Sequence, residues 1–220
     1  MKKKFFAVII FLFVSVLSEN LFAQPFKDEI DAFKKLDSIG FPPKKAILFA
    51  GSSSFRKWTN VQEYFPEQKI INRGFGGSTL PDVIRYADEI IFPYQPKQIL
   101  IYCGENDIAS SDSVTDEIVL QRYQQLFFLI RSKMKIVEVD FVSIKPSPSR
   151  IKFLSTIKKS NQLIEEFIST QKNAKFINVF NAMLNEDETI KQEIFLQDNL
   201  HMNEKGYTIW KKIIEPYLMK

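Results

Sequence analysis

The chain has a single histidine, His201, and its setting gives it chemical interest. Asp198 stands three residues upstream, in Asp198-Asn199-Leu200-His201, a segment of loop character. Within one turn its carboxylate could accept the imidazole Nδ1–H, orient the ring and stabilise the protonated form. A histidine held in this way is a general base, and a base of this kind serves a nucleophile. Ser53, in Gly51-Ser52-Ser53-Ser54, follows a short apolar run and could be that nucleophile. A serine-rich turn or helix cap would account for the same residues around Ser53. A surface turn ahead of an Asn203 helix cap would account for His201.

Two further segments carry groups that could stabilise negative charge. Gly74-Phe75-Gly76-Gly77 has three glycines in four positions, which permits positive φ and a free backbone N–H aimed at an oxyanion. Its spacing is not that of a dinucleotide loop. Gly104-Glu105-Asn106-Asp107 offers the Asn106 side-chain amide as a donor. Glu105 and Asp107 lack the histidine or third carboxylate that would make them a metal pair. Cys103 ends an apolar run and reads as a small buried hydrophobe. As the only cysteine, it excludes an intramolecular disulfide and, with one histidine, argues against a His/Cys zinc site. Lys145 and Arg150 lie in the polar loop 143–150; they could touch a substrate or pin the loop.

The elements that must position these groups alternate. Apolar spacing predicts helices over 26–39, 80–92, 114–133, 151–170 and 204–218. Ser78 or Thr79 would cap the second, with Pro81 in its first turn, and Asn203 the last. Short apolar runs predict strands over 46–50, 69–72, 98–103, 136–144 and 175–180. Strand–helix alternation implies an α/β fold with a parallel sheet covered on both faces. Ligands of such sheets gather at the carboxyl ends of the strands. The segments carrying Ser53, Gly77 and Asn106 all follow strands and would open on that edge.

A chain of 220 residues suits one domain with a real core. Its first residues read differently from the rest. Lys2, Lys3 and Lys4 precede the apolar run Phe5–Leu17, and Ala23 precedes Gln24. That is the layout of a secretory signal peptide over residues 1–23, with the folded domain at 24–220. Removing the leader takes away three lysines and Glu19, and lowers the net charge from +4 to +2. No basic run remains to suggest a nucleic-acid partner, and no stable membrane span is expected after cleavage. The expected location is the periplasm or the medium.

Taken together, the four polar segments resemble the SGNH (GDSL-like) hydrolase family, which carries Ser, Gly, Asn and His in four blocks in that order. They correspond to Ser53, Gly77, Asn106 and His201, over about residues 47–210. The first block is commonly Gly-Asp-Ser; here Ser52 takes the place of the Asp, as in a Gly-Ser-Ser-Ser subgroup. The resemblance implies a three-layer α/β/α sandwich with a five-stranded parallel sheet of flavodoxin-like order. It implies a serine esterase, with Ser53, Asp198 and His201 catalytic and the oxyanion held by Ser53, Gly77 and Asn106. No metal or organic cofactor is expected. Arg73, Lys145 and Arg150 are possible contacts to a small-molecule or glycan ester, short acyl groups on carbohydrate being the expected substrate class. Acyl transfer to a sugar hydroxyl, or glycan binding without catalysis, are the alternative readings.

Overall fold

A computed structural model describes residues 25–220; the expected leader, residues 1–23, lies outside the described residues. In chain order the elements are α1 (Lys27–Ile39), β1 (Ile47–Gly51), α2 (Ser53–Arg56), α3 (Val61–Tyr64), β2 (Ile70–Gly74), α4 (Leu80–Arg85) and α5 (Ala87–Ile90). Then come β3 (Gln98–Tyr102), α6 (Glu105–Ser110), α7 (Asp116–Lys133), β4 (Glu138–Val142), α8 (Leu154–Ser169), β5 (Phe176–Ile177) and α9 (Glu204–Ile214). The sheet order is β2-β1-β3-β4-β5, and every pairing is parallel. This is the flavodoxin-like order, which needs a crossover after every strand.

Alternation along the strands builds two cores. Leu48, Ala50, Ile99, Ile101, Val139 and Phe141 face α1, α4, α5, α7 and α8. Ile47, Phe49, Leu100, Tyr102, Val142 and Ile177 face α2, α3 and α9. The second core is strongly aromatic: Trp58 and Trp210 are fully buried and meet Phe55, Phe65 and Tyr207. Strands buried on both faces explain the short continuous apolar runs in the sequence.

Several boundaries differ from the sequence expectation, each for a local reason. The 80–92 helix is split, because Tyr86 leaves helical geometry (φ −101°, ψ 11°) while its hydroxyl donates to the Pro25 carbonyl at 2.6 Å. Thr79 is the cap, closed reciprocally with Asp82. Strand β4 stops short because the Asn161 side chain binds both the N–H and the carbonyl of Ile144, each at 2.8 Å. Strand β5 is only two residues long because Val179 and Phe180 donate their N–H groups to Ser143 Oγ rather than to a strand. The short helices α2 and α3 were not legible as separate elements.

Asp140, in the middle of the sheet, makes stability depend on pH. Burial pushes its carboxyl up to about 7, against the lowering effect of the Gln98 amide, which donates to it at 2.6 Å. An unfolded aspartate titrates near ~3.9. Between these values the folded state binds more protons than the unfolded state, so this group's contribution falls as pH rises through about 4 to 7 and is constant above. In urea titrations across this window, the stability difference between wild type and Asp140→Asn is expected to move against wild type by up to a few kcal/mol. A difference that stays flat with pH would contradict this assignment.

Candidate active site

β1 ends in Gly51, and the chain turns there into α2. Gly51 has φ 134°, and a Cβ at this position would lie 2.0 Å from the Tyr102 carbonyl oxygen. Only glycine allows β1 to leave the sheet so close to β3. Ser52 and Ser54 are buried beyond the turn, and Ser53 alone of the three is partly open. Its position at the start of α2 leaves its backbone N–H without a helical acceptor. Asn72 braces this turn: its side-chain amide donates to the Phe55 carbonyl at 2.7 Å, and its Oδ1 accepts from Gly74 N–H at 3.0 Å.

The loop after β2 can be accounted for donor by donor. Gly74 N–H goes to Asn72, Phe75 N–H to the Gly51 carbonyl at 2.9 Å, and Gly76 N–H to Glu29 at 3.1 Å. Gly77, at φ 78°, is left with an N–H that has no protein acceptor among the described residues. Asn106, in the first turn of α6, reaches the same rim. Its Nδ2 donates to Ser52 Oγ at 2.8 Å and to the Ser78 carbonyl at 3.1 Å. Ser52 Oγ therefore already takes one of the two amide hydrogens.

His201 arrives from the connection between β5 and α9. Asp198 Oδ1 accepts the N–H groups of Leu200 (3.0 Å) and His201 (2.9 Å), folding the segment into a tight turn. Its other oxygen lies 2.6 Å from His201 Nδ1. With Nδ1–H donated to Asp198, Nε2 is an acceptor, and it lies 3.1 Å from Ser53 Oγ. What burial Asp198 has pushes its carboxyl up. The hydrogen bonds from the His201 ring and from the two N–H groups outweigh this and hold it well below the usual carboxylate range. The carboxylate is therefore ionised and can stabilise an imidazolium. Asn203 caps α9 as expected, accepting from Lys205 N–H at 2.9 Å.

Two of the expected substrate contacts are corrected. Arg73 points toward α1: its guanidinium binds Asp37 at 2.5 Å and the Tyr94 hydroxyl at 2.7 Å and stacks on the Phe33 and Tyr94 rings. Lys145 is fully buried, with Nζ 2.6 Å from Glu105 and 2.7 Å from Ser147 Oγ. Burial pushes its ammonium down, and the neighbouring Glu105 opposes this. Arg150 is half-buried close to the His201 turn, where Ser149 N–H donates to the Asn199 carbonyl at 3.0 Å. Its Nε has no partner among the described residues. Asp107 belongs to the scaffold, accepting from Leu80 N–H and Arg122, each at 2.9 Å. Cys103 is buried as expected.

Sequence reasoning missed the cluster under the rim. Glu105 accepts from Lys145, from Ser147 (2.5 Å) and from the Tyr102 hydroxyl (2.9 Å), all in the interior. The signal was present in part, since Lys145 stands between Ile144 and Pro146 next to an apolar strand.

An ionised carboxylate, an imidazole and a hydroxyl in series, beside free N–H groups, form an arrangement suited to acyl transfer through serine. The family comparison agrees: the chain belongs to the GDSL-like Lipase/Acylhydrolase family, which matches residues 37–209. It is accordingly a carboxylic ester hydrolase. Solved structures share the fold. A GDSL-like lipase from Bacteroides thetaiotaomicron superposes with TM-score 0.69 at 19% identity, covering 86% of this chain and 96% of that one. A lipase/acylhydrolase from Enterococcus faecalis gives 0.65 at 19% identity, covering 78% and 93%. A carbohydrate esterase family 3 protein from Talaromyces cellulolyticus gives 0.62 at 15% identity, covering 78% and 94%. No curated protein matches by sequence.

The buried ion pair generates a stability prediction. Lys145→Met leaves the Glu105 carboxylate buried without its cation and should lower unfolding free energy by about 3–5 kcal/mol in urea titrations. Lys145→Met combined with Glu105→Gln should recover much of that loss. Equal losses in the single and double variants would show that packing, not charge, is what Lys145 supplies.

Proposed function

We propose that the protein hydrolyses short-chain acyl esters, with carbohydrate acetyl groups as the favoured class, through an acyl-serine on Ser53. The observation that carries this reading is the continuous chain from Asp198 through His201 to Ser53, with spacings of 2.6 and 3.1 Å. In the first step Ser53 Oγ attacks the ester carbonyl and its proton passes to His201 Nε2. Asp198 keeps the ring in the required tautomer and stabilises its positive charge. The carbonyl oxygen becomes an oxyanion, received by the N–H groups of Ser53 and Gly77 and by the Asn106 amide. Asn106 would give up its bond to Ser52 Oγ to do so. His201 then returns the proton to the leaving alcohol. Water, deprotonated by His201, cleaves the acyl-enzyme and restores Ser53.

Support for a carbohydrate ester comes from the kind of proteins that share the fold, among them a carbohydrate esterase and an acetyl esterase. A groove of about 620 Å³ near the loop that holds the His201 turn is lined by Pro148, Ile151, Gln192 and Glu193 among others. Its walls carry both polar and apolar groups, Gln192 and Glu193 beside Pro148 and Ile151. Arg150 remains available for a polar contact from the same rim. The leader-like start, Lys2–Lys4 followed by Phe5–Leu17, supports export, so that the ester would be met outside the cytoplasm.

A series of nitrophenyl esters of rising chain length, run beside acetylated oligosaccharides, tests the reading. Ser53→Ala and His201→Ala should each lose more than about 10⁴-fold in kcat. Asn106→Ala should lose about 10²–10³-fold. A fluorophosphonate should label Ser53 in the wild type only. Turnover persisting in Ser53→Ala would overturn the nucleophile assignment, and preference for long acyl chains would overturn the substrate class.

A further inference from the structure

A parallel sheet gathers all its strand beginnings on one edge, opposite the rim that carries Ser53. In this chain a lysine stands at or just before every strand. Lys44, Lys45, Lys69, Lys97, Lys135 and Lys172 precede β1 to β5 in turn, and among the described residues none has an acidic partner within 4 Å. Two more, Lys133 and Lys175, are paired with Asp88 and Glu138. The edge is held together locally: Lys45 N–H donates to the Gln95 carbonyl at 3.1 Å and Lys97 N–H to the Ala46 carbonyl at 3.0 Å.

Apolar side chains protrude from this same edge. Among the described residues, eight large hydrophobic side chains stand in solvent, and four are here: Ile39, Phe41, Ile136 and Met219. Ile136 is 85% exposed and Ile39 79%. Phe41 is tied to the edge by stacking on Tyr94 at 5.6 Å, and Met219 by its N–H to Gln98 Oε1 at 2.8 Å. A surface groove of about 550 Å³ runs between Lys45, Lys97, Lys133 and Lys135, with Met134 and Ile136 in its wall. The opposite edge has the other sign along its longest connection. The segment from β5 to α9 carries Glu186, Asp187, Glu188, Glu193 and Asp198 against Lys191 alone.

We infer that the amino edge of the sheet docks on an anionic lipid bilayer. Each lysine in a field of anionic headgroups adds an attraction that salt screens. The exposed isoleucines and Phe41 add what a soluble polyanion cannot use, an apolar surface that enters the headgroup boundary. The charge difference between the edges sets the orientation. The lysine edge meets the membrane, and the Ser53 rim faces away from it. The inference is independent of what the site hydrolyses.

The test is sedimentation with vesicles, using the chain from Gln24, which contains the whole sheet and both cores. Binding is expected to vesicles of mixed phosphatidylglycerol and phosphatidylcholine, not to phosphatidylcholine alone, and should fall as salt rises. Lys45→Glu/Lys97→Glu/Lys135→Glu should lose at least about tenfold in partitioning. Ile39→Ser/Ile136→Ser should lose several-fold. Circular dichroism melts check that each variant is folded; should the triple variant not fold, Lys135→Glu alone, at an exposed site, replaces it with a smaller expected loss. The inference is overturned by absence of binding to the anionic vesicles at low salt, or by lysine variants that bind like wild type. It is equally overturned if the isoleucine variant binds unchanged while soluble polyglutamate competes fully, an outcome that assigns the edge to a polyanion.

Discussion

A carboxylate taken out of water must be neutralised where it lies, and in this protein meeting that requirement for Glu105 organises the rim. Two chain segments supply its three partners: Tyr102 from the end of β3, and Lys145 and Ser147 from the loop after β4. Glu105 is the first residue of α6, so the same contacts set the direction in which Asn106 projects. The loop that supplies Lys145 and Ser147 continues to Ser149, which bonds the Asn199 carbonyl within the His201 turn. Charge burial in the interior is thus connected, through a short run of backbone, to the placement of both an amide donor and the imidazole. Buried pairs of this sort offer little net stability over well-packed apolar residues, but losing one partner is costly. That asymmetry suits an element whose task is to hold a geometry.

The local chemistry of the rim depends on equally specific constraints. Gly51 lets β1 turn beside the Tyr102 carbonyl, and the donor accounting of the Gly74–Gly77 loop leaves Gly77 N–H unengaged. Ser52 is the notable variation. Its hydroxyl accepts from Asn106, so the amide is oriented by a neighbour that competes with an incoming oxyanion. A hydroxyl can rotate and change between acceptor and donor, which a carboxylate cannot. The Gly-Ser-Ser-Ser block therefore holds Asn106 through an adjustable neutral contact.

The two edges of one sheet have diverged in chemistry. The carboxyl edge gathers the Ser53–His201–Asp198 series, while the amino edge gathers lysines and protruding apolar side chains. Parallel topology imposes this separation, since every strand begins on one edge and ends on the other. Residues scattered along the chain become a surface because they occupy the same place in each repeat of strand and helix.

Sequence alone determined the alternation of elements, the five strands and the four polar blocks. These are written in local patterns: continuous apolar runs for strands buried on both faces, helical spacing, and glycine-rich or serine-rich turns at strand ends. Ser53, Gly77, Asn106, Asp198 and His201 could all be named because each sits in such a block. Tertiary structure decided what depends on partners distant in the chain. Arg73 looked available in sequence, yet Asp37 and Tyr94 claim it; Lys145 looked like a rim residue, yet Glu105 draws it inside. The break at Tyr86 and the early ends of β4 and β5 follow from hydrogen bonds of one side chain each, made to residues distant in the chain. A pattern of side-chain types records which face of an element is buried, because burial is set residue by residue. It does not record which charge meets which, because that is settled only when the strands are in register and the loops have closed.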